Sequence, residues 1–239
     1  MPCGTCGQFC AASRIRMPDV VHLLVIAKAP VPGRVKTRLS PAFTPEQAAA
    51  LAEAALRDTL DAVLLTRAAE RTVFLDGSPG PWLPSGLRVV PQRGEGLDER
   101  LAAAFDDAWT HRPLPMLLVG MDTPQLTSAL LDACVGELLT PEVDAVLGPA
   151  TDGGFWAIGL RRPNPDLSLG VPMSLPTTGR AQLQRLQDGG LRVAMLPELM
   201  DVDTPDDAAA VAAGAPGTQF ATTLTAMVRG TVGSDVRIP

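Results

Sequence analysis

The segment AKAPVPGRVKTRLS, residues 27–40, stands directly after the apolar run VVHLLVI at 20–26. A short β-branched run bounded by Pro and Gly reads as a strand buried on both faces, the kind found inside parallel sheets. No Asp or Glu occurs from 20 to 45, yet the segment carries Lys28, Arg34, Lys36 and Arg38. A chain of formal net charge -6 therefore gathers cations in one loop at the carboxyl end of its first strand. Ligands of open α/β sheets settle at that edge, and Lys and Arg there suit phosphate oxygens. The loop, with Gly33 and Thr37 beside those cations, is expected to cradle the phosphates of a nucleotide. The competing reading is a solvated basic loop stiffened by Pro30 and Pro32. A Walker A loop does not fit, because only Arg34 and Val35 separate Gly33 from Lys36, and no Gly-x-Gly-x-x-Gly follows the strand.

Downstream, Thr44-Pro45-Glu46-Gln47 has the pattern of a capping box with Pro at the first helical position, so a helix is expected to about Thr66. Further strands are predicted at 72–75, 87–90, 116–119, 144–147, 155–160 and 191–196, and helices at 97–109, 125–139 and 177–188. Alternating strands and helices predict a three-layer α/β/α fold with a mostly parallel mixed sheet. The expected organisation is an N-terminal extension over 1–19, one domain over 20–213 and a peripheral C-terminal tail over 214–239. A length of 239 residues allows one large core.

The negative balance and the absence of basic-aromatic runs argue against nucleic acid as a partner, and no apolar run approaches a membrane span. Cys3, Cys6 and Cys10 lie upstream of the first strand and of Met17, a possible start, and Cys134 is the fourth thiol. Metal binding by that cluster is not expected, since no second Cys/His pair is nearby. Four cysteines in so long a chain fit a reducing cytoplasm better than a disulfide scaffold.

Asp-Thr-Pro occurs at Asp122 and again at Asp203, each time between a predicted strand and helix. An Asp or Thr N-cap followed by Pro is an ordinary way to begin a helix. If both strands run parallel to the first, however, the two acids reach the edge that carries the basic loop. There they would serve as ligands for Mg or Mn, which is usually held by one or two carboxylates plus phosphate oxygens. Asp201 is an alternative to Asp203, two residues away on an extended segment. Asp152-Gly153-Gly154 reads either as a tight turn or as a place where backbone approaches a ligand, with Asp152 binding a hydroxyl or acting as general base. Gln92-Arg93-Gly94 reads as a capped loop or as a base-recognition loop, with the Gln92 amide reading a nucleobase and Gly94 allowing close approach. His22 is expected to pack within its strand. His111 has no Ser or Cys partner for a triad.

Together AKAPVPGRVKTRL (27–39), QRGEGLDERL (92–101), GMDTPQL (120–126), GPATDGGFWAIGL (148–160) and DVDTPDD (201–207) resemble a bacterial family of nucleotide-diphospho-sugar transferase type with a GT-A fold, long a domain of unknown function. By fold, that family is related to phospholactate guanylyltransferases and molybdenum-cofactor nucleotidyltransferases. The resemblance implies Lys28, Lys36 and Arg38 as phosphate contacts, Asp122 and Asp203 as metal ligands, and Asp152, Gly153 and Gly154 beside the sugar or acceptor. Asp98 and Met173 depart from the family's usual Gly and Trp. The expected function is a metal-dependent glycosyltransferase that passes a sugar from a nucleotide-diphospho-sugar to a small-molecule acceptor, with Lys36, Asp122 and Asp152 as catalytic residues. Two alternatives are a nucleotidyltransferase that releases pyrophosphate from an NTP and a silent nucleotide-binding module.

Overall fold

The apolar run ahead of the basic loop is strand β1 (His22–Lys28). The computed structural model describes residues 20–232; the extension over 1–19, with Cys3, Cys6, Cys10 and Met17, and the last part of the tail lie outside the described residues. Along the chain β1 is followed by helix α1 (Pro45–Leu65), strands β2 (Glu70–Asp76) and β3 (Arg88–Pro91), α2 (Leu97–His111), β4 (Met116–Val119), α3 (Ser128–Leu138), β5 (Ala145–Pro149), β6 (Phe155–Leu160), α4 (Thr178–Asp188), β7 (Val193–Met195), α5 (Pro205–Gly214) and α6 (Gln219–Val232). The strands form one sheet in the order β3-β2-β1-β4-β6-β5-β7. Only β6 runs against the rest, pairing antiparallel with both β4 and β5. The carboxyl ends of β1, β4, β5 and β7 therefore open on one edge.

Strand side chains alternate between two cores, as the pleat requires. Leu23, Val25, Val73, Leu75, Leu117 and Val119 face α1 and α3, where they meet Leu56, Leu60, Leu131 and Leu138. Leu24, Phe74, Met116 and Leu118 face the opposite layer, built on Leu101, Ala104 and Phe105 of α2 and Leu186 of α4. Helix α1 starts as its sequence predicts, with a capping box between Thr44 and Gln47. Helix α3 starts three residues later than expected, because Thr127 caps it by accepting a bond from the Leu130 N–H at 3.1 Å.

The tail needs correction over most of its length. Residues 219–232 form α6 rather than a peripheral extension, and Phe220 and Leu224 are buried against Leu51, Ala55 and Val211. Helix α1 is apolar on two faces, and the second face requires a cover. Asp58 of α1 fixes the new helix by accepting bonds from the N–H groups of Gln219 and Phe220, both at 2.9 Å.

His22 packs as expected. It is fully buried and pairs through Nε2 with the Thr72 hydroxyl at 2.8 Å, while Nδ1 has no partner among the described residues. His111, two residues past the helix expected over 97–109, ends α2 and sits edge-on to His22 with ring centroids 6.4 Å apart. Burial, with smaller contributions from His111, Arg88 and Arg112, pushes the His22 imidazole down to about 4 against the pull of Glu70. The unfolded chain then takes up a proton near pH 6.5 that the folded chain refuses until about pH 4. Stability is accordingly expected to fall as pH drops through that window, by about 3 kcal/mol at most. Urea midpoints measured from pH 7.5 to 4.5 should fall in the native protein and fall less in His22→Asn; parallel profiles would rule the imidazole out.

Candidate functional site

The loop after β1 turns back over the sheet edge through two left-handed residues, Gly33 at φ 75° and Lys36 at φ 49°. A lysine in that conformation is held against its backbone preference, a cost often met at functional sites. The turn sends the Lys36 side chain inward, where it is only 7% exposed. Its ammonium donates to Asp122 Oδ1 at 2.9 Å, to Asp203 Oδ1 at 3.4 Å and to the Val202 carbonyl. Arg38, on the outer side of the loop, donates to Asp203 Oδ2 at 3.0 Å. Burial by itself would push the Lys36 ammonium down. The Asp122 charge and hydrogen bond, then Asp203 and Asp201, outweigh it and hold the group above the usual lysine value.

The structure thus brings together Lys36, Arg38, Asp122 and Asp203, residues far apart in sequence. Neither acid serves as a helix cap. Thr204 caps α5 in a box with Asp207, and α3 begins six residues beyond Asp122 under Thr127. The two Asp-Thr-Pro segments are also tied to each other: the Val202 N–H donates to the Asp122 carbonyl at 3.1 Å, and Gln125 Nε2 donates to the Met200 carbonyl at 2.7 Å. Gln125 was not singled out from sequence. Its only mark there is its place directly after the first Asp-Thr-Pro.

Asp201 adds a third carboxyl. Burial, together with the charges of Asp122 and Asp152, raises it to about 7 against the pull of Lys36, and its Oδ1 is buried without a partner among the described residues. Arg34 and Thr37 are exposed on the same loop, and Lys28, the last residue of β1, is exposed beside it. The Lys28 backbone N–H donates to the Met121 sulfur at 3.1 Å, which links the ends of β1 and β4.

Asp152, Gly153 and Gly154 form the turn between β5 and β6, where Asp152 Oδ1 accepts the Gly154 N–H at 2.7 Å. Gly153 has φ 87°, and its carbonyl accepts the Gly179 N–H in the first turn of α4 at 2.8 Å. Strands β5 and β6 pair as antiparallel neighbours around this turn, with a register shift between Gly148 and Pro149.

Gln92 is a correction. Its Nε2 donates to the carbonyls of Ala27 at 2.8 Å and Phe74 at 2.9 Å, and its Oε1 accepts from Arg100 at 3.2 Å. Both amide hydrogens are committed to the backbone, so the side chain clamps β1 to β2 instead of facing a base. Gly94, at φ 110°, is required by packing, since a Cβ there would stand 2.6 Å from the Glu99 Cβ. Asp98, the departure from the family pattern, holds α2 to the Gly170 N–H at 2.9 Å. Gln92→Leu is expected to cost about 1–3 kcal/mol of stability by orphaning two carbonyls and to leave nucleobase preference unchanged. Denaturant unfolding and a nucleotide panel would check the two halves separately.

Residues 50–175, more than half of the chain, match DUF2064, a family described as uncharacterized proteins conserved in bacteria. The chain belongs to the DUF2064 family. A curated protein similar to this DUF2064 member is the phosphoenolpyruvate guanylyltransferase of Sphaerobacter thermophilus, 29% identical over an alignment of 203 residues that covers 81% of this chain and 95% of the relative. Among solved structures, a candidate nucleotide-diphospho-sugar transferase from Desulfovibrio desulfuricans G20 superposes with a TM-score of 0.70 at 27% identity, covering 77% of this chain and 82% of that one. The 2-C-methyl-D-erythritol 4-phosphate cytidylyltransferase of Thermus thermophilus shares the fold alone, with a TM-score of 0.50 at 18% identity over 83% of this chain and 99% of that one. The expected α/β architecture of nucleotide-diphospho-sugar transferase type is therefore that of this DUF2064 protein. No helix among the described residues is long and apolar enough to cross a membrane.

Proposed function

We propose that this DUF2064 protein is a nucleotidyltransferase that joins the nucleoside monophosphate of an NTP to a phosphorylated small molecule and releases pyrophosphate. The observation that carries the reading is the convergence of Lys36, Arg38, Asp122 and Asp203 at the carboxyl edge of the sheet. What favours nucleotidyl over glycosyl transfer is the likeness to a phosphoenolpyruvate guanylyltransferase along 95% of its length. Sugar transfer from a nucleotide-diphospho-sugar remains the second reading, favoured by the Desulfovibrio likeness.

Charge counting bears on the metal. Asp122, Asp201 and Asp203 act on the buried Lys36 ammonium and Asp152 acts on Asp201, four acidic groups against the two cations Lys36 and Arg38, an excess that would disfavour a polyphosphate. The unpartnered Asp201 Oδ1 marks the same surplus. Oxygen donors of this kind fit Mg or Mn, and Asp122 and Asp203 are the residues that would hold it. Such an ion supplies neutralising charge to the phosphates and orients them.

The chain's own residues supply the rest. Lys28 at the end of β1 and Arg34 and Arg38 on the exposed loop would present cations to the β- and γ-phosphates. A phosphate oxygen of the acceptor attacks the α-phosphorus, a new P–O bond forms, and the bond to the bridging oxygen breaks with its electron pair leaving on pyrophosphate. A phosphate nucleophile is largely ionised at neutral pH, so no general base is required. Asp152 then positions the acceptor through a hydroxyl instead of removing a proton. Positioning and electrostatics provide the rate, as in other phosphoryl transfers. Incubation with each NTP and a panel of phosphorylated acids, in parallel with nucleotide sugars, separates the readings: pyrophosphate supports nucleotidyl transfer, and nucleoside diphosphate supports glycosyl transfer.

A further inference from the structure

We infer that Lys36 keeps the Asp122–Asp203 pair closed to free divalent metal, so that the site takes metal only together with a polyphosphate. The inference rests on the proposed reading only in that the ligand is a polyphosphate. An ammonium has three hydrogens, and Lys36 directs them to Asp122 Oδ1, Asp203 Oδ1 and the Val202 carbonyl. The two carboxylates that would ligate a divalent ion thus already share a cation, one buried to 7% exposure. A free metal entering between these part-exposed carboxylates meets at close range the charge of an ammonium only 7% exposed, and the two cations repel. Nor can it gather enough protein ligands elsewhere. Among the described residues no group of three or more His, Cys, Asp or Glu side chains is placed to hold a metal ion.

A polyphosphate changes both conditions at once. Its oxygens offer the ammonium new acceptors beside the same loop, releasing carboxylate oxygens, and they complete the coordination shell that the protein leaves unfinished. Lys36 and the metal then exchange partners, and charge is balanced only when all three are present. Reciprocity follows: metal should tighten polyphosphate binding by the same factor as polyphosphate tightens metal binding.

Equilibrium dialysis of the full chain against Mn2+, alone and with inorganic tripolyphosphate, tests this without relying on a base, an acceptor or turnover. The native protein is expected to retain Mn2+ at least tenfold more tightly with tripolyphosphate. Lys36→Met is expected to bind Mn2+ at least tenfold more tightly than the native protein when tripolyphosphate is absent, and a melting temperature that rises with Mn2+ would confirm it is folded. Equal retention by the native protein with and without tripolyphosphate, or none in either case, overturns the inference even if Lys36→Met fails to fold. A folded Lys36→Met that binds Mn2+ no better than the native chain overturns it as well. Exchange without pyrophosphate release in the NTP assay would instead sink the nucleotidyltransferase reading and leave this one standing.

Discussion

Asp122→Asn is expected to slow pyrophosphate release about a thousandfold, close to 4 kcal/mol of lost transition-state stabilisation, and Asp203→Asn is expected to slow it less. The difference comes from geometry. Asp122 approaches the Lys36 ammonium to 2.9 Å and Asp203 to 3.4 Å, and Asp203 also shares its second oxygen with Arg38. Removing the Asp203 charge leaves the shorter Lys36–Asp122 pair in place. Removing that of Asp122 leaves a buried cation on its longer contact and takes away the better-placed metal ligand. Because Asp122 is 38% exposed, solvent screens part of the lost attraction, and the cost to folding should be about 1–2 kcal/mol. Steady-state rates and urea midpoints for both variants decide the matter. If the two lose equal stability and keep full turnover, these acids are scaffold.

The sequence reading reached this site through local signals. An apolar run with no polar face had to lie inside a sheet, and the period-two division of Leu23 and Val25 from Leu24 follows from the pleat. The first Asp-Thr-Pro follows β4 within three residues and the second lies eight residues beyond β7, and because both strands run parallel to β1 the two segments leave the sheet at one edge. What stayed hidden depends on distance through space. That Lys36 neutralises the aspartates leaves no trace in spacing, because the partners lie 86 and 167 positions away. The Gln92 amide looked free for a base because its acceptors, Ala27 and Phe74, are carbonyls and carry no side-chain signature. Helix α6 was hidden by its Gly- and Thr-rich surroundings. The useful sign lay elsewhere, in the second apolar face of α1 formed by Ala48, Leu51 and Ala55.

Gly153→Ala is expected to lower stability by about 4 kcal/mol and to raise the acceptor KM far more than the nucleotide Kd. Two penalties combine at this position. The backbone has φ 87°, which a side chain resists at a cost of about 1–3 kcal/mol. An added Cβ would also stand 2.1 Å from the Pro176 carbonyl oxygen, a backbone atom that no rotamer change can move aside. Relief requires parting the turn from α4, whose Gly179 meets the same turn so closely that its own Cβ would stand 2.4 Å from the Gly154 oxygen. Overlap of this kind adds roughly 1–3 kcal/mol. The parting displaces Asp152, whose Oδ1 is held by the Gly154 N–H, while the Lys36 cluster belongs to other loops and keeps its contacts. Calorimetry with a nucleotide alone should therefore remain close to the native value as acceptor saturation fails. Equal losses in both measurements would instead mean that the turn between β5 and β6 supports the whole site, and Asp152 would lose its assignment to the acceptor.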